Sequence, residues 1–135
     1  MFFRIRFILL IGLLAVVLAA CGGSPTLAVL PATYDFGEIA ADAPVTTTLQ
    51  VSNMGQGKLT IDSITTSCGC TTAKVDETEL APGSVTNLTI TFDPQAHPGL
   101  YGPLLRMVYL QSNDPAQPEV EVPVSVEILD PNKES

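Results

Sequence analysis

Val45, Thr47, Leu49 and Val51 fall on one side of an extended chain, and Thr46, Thr48, Gln50 and Ser52 on the other. The same period of two runs through Leu59 and Ile61 against Thr60 and Asp62. It recurs in Leu88, Ile90 and Phe92 against Thr89, Thr91 and Asp93. It is longest near the C-terminus, where Val120, Val122, Val124, Val126 and Ile128 oppose Glu119, Glu121, Pro123, Ser125 and Glu127. Successive side chains of an extended chain point to opposite faces, so each run predicts a strand with one wall in a core and one in water. Residues 104–110 are apolar on both faces apart from Arg106, which predicts the most central strand. Pro123 has no N–H to give to a ladder, so an edge or a bulge is expected there.

Turn chemistry separates these runs: Asn53-Met54-Gly55-Gln56-Gly57, Pro82-Gly83 and Asn113-Asp114-Pro115 supply residues that tolerate or preset turn dihedrals. No stretch of ten or more residues carries a helical stripe. About seven short strands at regular spacing predict an all-β, immunoglobulin-like β-sandwich. The antibody-type core is not expected. The chain has no tryptophan, and Cys68 and Cys70 are too close in sequence to bridge facing sheets.

The N-terminus follows different rules. Residues 1–6 carry Arg4 and Arg6 and no acid, and residues 7–20 are continuously apolar or glycine, the pattern of a secretory signal peptide. That run is 14 residues long, short of the roughly 20 that span a bilayer. Leu18-Ala19-Ala20-Cys21 resembles the lipobox of bacterial lipoproteins. The resemblance implies that the Cys21 sulfur takes a diacylglycerol and that cleavage leaves Cys21 as the first residue. Several acyl chains on one residue anchor stably where one does not. The expectation is an extracytoplasmic protein, lipid-anchored to the bacterial cell membrane or envelope without crossing it. The chain then divides into a leader at 1–20, the lipidated cysteine with a linker at 21–33, a domain at 34–128 and a polar tail at 129–135. Within the linker, Gly22-Gly23-Ser24-Pro25-Thr26 reads as a short flexible leash.

Without Arg4 and Arg6, 4 basic residues face 14 acidic ones. Such a surface repels phosphate backbones, so nucleic acid is not an expected partner. The acids are dispersed, and Glu119, Glu121 and Glu127 read as consecutive outward positions of one strand. Asn87-Leu88-Thr89 matches a glycosylation sequon by accident of a mid-strand position.

Five features occur in order: Asp35-Phe36-Gly37-Glu38-Ile39, a strand ending Ser52-Asn53-Met54-Gly55, then Ser67-Cys68-Gly69-Cys70-Thr71, Pro82-Gly83 and Ser112-Asn113-Asp114. Over residues 34–128 this order resembles the bacterial domain of unknown function 1573. That family is similar to immunoglobulin-like domains of the ASH and Hydin type and to the major-sperm-protein and PapD folds. The SCGCT core is the specific part, and Met54 departs from the Thr or Ser more usual there. The resemblance implies the fold and brings no activity with it.

Chemistry concentrates in Thr65-Thr66-Ser67-Cys68-Gly69-Cys70-Thr71-Thr72. Two extended residues reach about 7 Å, so a Cys68–Cys70 bridge requires the backbone to bend, which Gly69 permits. Export favours a disulfide. So small a loop yields little entropic stabilisation, which leaves a structural bridge and a thiol-exchanging bridge both open. Two thiolates also suit Cu(I) or Zn(II), with Met54, Met107 and His97 the other soft or imidazole candidates. Two buried thiols acting as small hydrophobes complete the set. His97 lies in a proline-rich loop and reads as solvent-facing. No catalytic constellation or cofactor motif is present, so a non-enzymatic interaction or scaffolding module is expected, with an envelope or surface protein as partner. Thiol redox or copper binding through Cys68 and Cys70 is the alternative. The leading expectation for the pair itself is a local disulfide that shapes a loop at the rim of the domain.

Overall fold

The computed structural model describes residues 22–133. The expected leader at 1–20, the expected lipidation site Cys21 and the last two residues of the tail lie outside them. In chain order the strands are β1 (Leu27–Leu30), β2 (Tyr34–Ile39), β3 (Val45–Asn53), β4 (Leu59–Thr66), β5 (Thr71–Val75), β6 (Glu79–Leu80), β7 (Val85–Phe92), β8 (Gly102–Ser112) and β9 (Glu119–Ile128). They form an immunoglobulin-like sandwich. One sheet has the order β1-β3-β7-β5 and the other β2-β9-β8-β4-β6. Neighbours are antiparallel except β2 and β9, which run parallel.

The alternating runs behave as their period requires. Leu49 and Val51 on β3, Leu88, Ile90 and Phe92 on β7, and Val122, Val124, Val126 and Ile128 on β9 are buried, and most of their alternates reach solvent. There are nine strands among the described residues where about seven were expected. The N-terminal strand is split between the sheets, with β1 on β3 and β2 on β9, and β6 is only two residues long. Pieces this short show no readable period. Strand pairing therefore starts at Leu27, ahead of the Tyr34 boundary read from the sequence.

The glycine-rich leash is also not loose where it meets the domain. Met54 N donates to Thr26 O at 2.8 Å, Gln56 N donates to Ser24 O at 3.0 Å, and Thr26 N donates to Asn53 Oδ1 at 3.2 Å. The approach is so close that a Cβ on Gly55 would collide with the Ser24 carbonyl, and one on Gly57 with that of Gly23.

β8 is the middle strand of its sheet, as its apolar run predicts. Among the described residues only one of its faces is covered. Val108 and Leu110 are fully buried inside, whereas Leu105 on the outer face is 60% exposed. Pro123 sits in β9, which is an interior strand and has no bulge at that residue. Its pairing partner is Met107, whose N–H and C=O both engage Ser67 of the β4 side. Pro123 therefore turns its missing donor away from β8, towards a position where β2 has not begun; that strand pairs from Tyr34 opposite Val124. The proline occupies a local edge.

At the end of the sandwich where β3 meets β4, three side chains close the corners. Asn53 is fully buried; its Nδ2 donates to Gly57 O and Leu80 O, and its Oδ1 accepts from Thr26 N and Gly55 N. Asn113 Oδ1 accepts from Thr60 N at 2.8 Å while its Nδ2 donates to Lys58 O. Asp114 accepts from Leu27 N across the two sheets and from Ala116 N and Gln117 N in its own loop. Burial works to raise the Asp114 carboxyl, but these three backbone donors outweigh it and hold it below its ordinary value of 3.8.

A carboxylate whose folded pKa is depressed stabilises the fold above its unfolded pKa and loses that contribution as pH falls through the folded value. Chemical denaturation across acid pH should thus show stability dropping below pH 3.8. Asp114→Ala should cost about 2 kcal/mol at neutral pH and make the acid loss shallower. An unchanged acid slope in the variant would contradict this role.

Candidate functional site

The opposite end of the sandwich holds the cysteines. β4 ends at Thr66 in the five-stranded sheet and β5 starts at Thr71 in the four-stranded one, so residues 67–70 must cross between layers. Cys68 and Cys70 are joined as a disulfide with their Cα atoms 5.3 Å apart. The hydroxyl frame around them braces this crossing. Thr66 Oγ1 lies 2.9 Å from Cys68 O and 2.8 Å from Thr71 O, able to donate to either, and Ser67 Oγ accepts from Met107 N. Cys70 O accepts from Asp93 N at 2.8 Å, tying the crossing to the end of β7.

The two sulfurs differ in environment. Cys70 is 2% exposed and packs with Ile39, Phe92, Val126 and Ile128, while Cys68 is half-buried at the rim. Thr71 Oγ1 lies 3.7 Å from Cys68 Sγ and 3.8 Å from Cys70 Sγ. Arg106 is the lone charge in the apolar run of β8, on the same face as Val108 and Leu110 because alternate residues share a face. Its Nε donates to Cys70 Sγ at 3.3 Å and its Nη1 to Leu105 O at 3.0 Å.

His97 arrives from the β7–β8 connection. Asp93 Oδ1 accepts from Gln95 N and caps a single 3₁₀ turn, Pro94–Ala96, after which the chain turns back over the disulfide. An imidazole nitrogen of His97 and the two sulfurs lie within 4.8 Å of one another. The ring is exposed, as expected, and shares an open groove with Pro98, Leu100 and Arg106.

Of the soft or imidazole candidates in the sequence, the fold thus brings only His97 to the cysteines. Met54 is 66% exposed in the β3–β4 turn, roughly 25 Å away along the length of β4. Met107 is on the outer face of β8, opposite to Arg106. Joined to each other, the sulfurs offer a metal no thiolate. Arg106 went unrecognised in the sequence as part of the site. The available signal was a guanidinium at an inward position of an apolar strand. Glu119, Glu121 and Glu127 are exposed on the outer face of β9, and Glu119 accepts from Gln111 Nε2.

The profile of a family described as protein of unknown function, DUF1573, matches residues 27–126. The chain belongs to the DUF1573 family. No curated protein matches it. Among solved structures it is similar to a protein of unknown function from Porphyromonas gingivalis W83, with 28% identity and a TM-score of 0.72 over 82% of this chain and 49% of that one. It spans about half the length of that relative. The PapD-like domain 7 of human CEP192 superposes with a TM-score of 0.60 at 10% identity, over 79% of this chain and 87% of that domain. The VesB protease of Vibrio cholerae does so at 0.57 and 12%, over 79% of this chain and 32% of that one. At such identities the last two likenesses concern the fold alone. In this DUF1573 domain the signature residues divide by position. Asn53, Gly55, Asn113 and Asp114 close one end of the sandwich, and the SCGCT segment occupies the other.

Gly69 permits the bend between the cysteines without using a conformation reserved for glycine. Its φ lies outside the left-handed region, and a Cβ there would meet nothing within 4 Å. The bend between the cysteines therefore does not require glycine. Gly69→Ala should leave the disulfide closed and stability within about 0.5 kcal/mol of wild type. A thermal melt shifted down by many degrees would show that the bend depends on glycine after all.

Proposed function

We propose that this DUF1573 domain is a lipid-anchored, extracytoplasmic interaction module that docks a partner protein on the outer face of β8. The carrying observation is a mismatch between sequence and burial. Strands that read as continuous apolar runs are normally covered on both faces, yet Leu105, Met107 and Tyr109 form an outer stripe that the described residues leave uncovered or half covered. Pro123 and Ser125 extend the stripe onto β9, paired with Met107 and Leu105. Apolar surface in a polar rim is what protein partners cover, and an acidic chain favours a protein over nucleic acid or anionic lipid.

Anchoring gives this face an orientation. Only Gly22 and Gly23 separate Cys21 from Ser24, which is already bonded to the β3–β4 turn. A lipid on Cys21 holds that turn at the membrane, stands the strands away from it and turns the cysteine end outward.

Two measurements test the reading. A photo-crosslinking residue in place of Leu105 should give a discrete protein adduct in intact cells, and one in place of Thr48, exposed on the other sheet, should not. Equal labelling from both positions, or none, rules out docking on β8. Cys21→Ala should move the protein from the membrane to the soluble fraction. A variant that stays in the membrane fraction removes the lipid anchor from the proposal.

A further inference from the structure

Arg106 makes no ion pair with a carboxylate among the described residues, although acids outnumber bases; the pair that does form there is Lys58 with Glu79. Its Nε–H is aimed at Cys70 Sγ. A disulfide sulfur is a weak acceptor, whereas a thiolate is a strong one for a charged donor. The contact therefore contributes little while the bond is closed and much once Cys70 carries charge. Beside it, Cys68 is the sulfur nearer solvent, and the groove lined by His97, Pro98 and Leu100 opens next to the pair. The one-residue loop adds little entropy to keep the bond closed.

The geometry points to a thiol–disulfide exchange site, in which Cys68 is the attacked sulfur and Cys70 the leaving thiolate held by Arg106. The reactant is a thiol, either a small one or a cysteine of an extended polypeptide lying in the groove. His97 takes the proton of the incoming thiol. The thiolate's electron pair forms a bond to Cys68 Sγ, the Cys68–Cys70 bond breaks, and its electron pair goes to Cys70 Sγ. A second thiol gives its proton to solvent, attacks the sulfur of the first as thiolate and expels Cys68 as thiolate. Cys68 then takes the proton held by His97, and Cys70 takes one from solvent. The products are one disulfide between the two incoming thiols and the Cys68/Cys70 dithiol, so two thiols are oxidised and one disulfide is reduced. Metal capture is the weaker reading of the same cluster, because Arg106 already directs a proton at Cys70 and three donors fall short of a closed tetrahedral set.

The full-length protein, extracted from membranes in detergent with its disulfide intact, is equilibrated with mixtures of reduced and oxidised glutathione. A parallel arm uses a reduced cysteine-containing peptide. Acid quenching, alkylation and peptide mass spectrometry then locate adducts and count dithiol. An unstructured Cys-Gly-Cys peptide is the reference. The folded protein should open at less reducing ratios than the reference, with the first adduct on Cys68. Faster reaction in one arm identifies the source of the thiol. Arg106→Gln should slow opening and shift its midpoint by about tenfold or more, with Arg106→Lys in between. His97→Ala should slow opening and leave the midpoint in place. A disulfide no easier to open than the reference, an adduct on Cys70, or an Arg106→Gln midpoint equal to wild type would overturn the assignment. The first two readouts use wild-type protein and do not depend on any variant folding.

Discussion

Each time this chain leaves one sheet for the other, backbone N–H and C=O groups leave their ladders while still inside the protein. An unpaired buried backbone group costs as much as a lost hydrogen bond, so the corners limit the sandwich more than the strands do. Asn53 satisfies two donors and two acceptors with one amide. Asp114 fastens the start of β1 to the β8–β9 loop, and Thr66 Oγ1 is placed to donate to the carbonyl of Cys68 or of Thr71 at the cysteine crossing. With these groups satisfied, the space between the sheets can be almost purely aliphatic. Ser52 Oγ is a buried exception without a partner among the described residues, and nothing in the structure accounts for it.

The two ends solve this problem with different chemistry. At the Asn53 end, side-chain amides and a carboxylate close the corners, and every polar atom of these side chains has a backbone target that explains it. At the cysteine end, a covalent bond and a threonine do the closing, yet a guanidinium and an imidazole are gathered there as well. Backbone satisfaction accounts for Thr66 and Ser67 but not for Arg106 or His97. That surplus sets the cysteine end apart from the Asn53 end, where the polar groups serve as framework.

Much of this was legible before any coordinates. The period of two in β7 and β9 identified buried and exposed walls because those strands are long and half-covered, and the apolar run of β8 placed it centrally. What escaped has physical causes. β1 and β6 are too short for a period to emerge. The docking of residues 24–26 depends on close approach to Gly55 and Gly57, and glycines in a row read equally well as a loose linker. The apolar side chains on both faces of β8 placed it centrally, but coverage of the outer face depends on what lies above it, and no part of the described chain does. His97 lies far along the sequence from Cys68 and arrives through a capped turn whose direction no local pattern encodes.

Arg106 poses the sharpest energetic question. Its neighbours on the inner face of β8 are aliphatic, and it stands beside a cluster of Phe36, Leu104, Phe92 and Ile128. A leucine there would extend that cluster and gain about 2 kcal/mol of apolar burial, where the guanidinium must be partly desolvated against one carbonyl and one neutral sulfur. A cation in such a position is a poor choice for stability alone. It becomes a favourable one if the sulfur it faces carries negative charge for part of its life, since charge-assisted hydrogen bonds are about twice as strong as neutral ones. The disulfide can then shape the loop while closed and still be opened by a thiol, because the residue that stabilises the open state is built into the rigid central strand and does not depend on the loop.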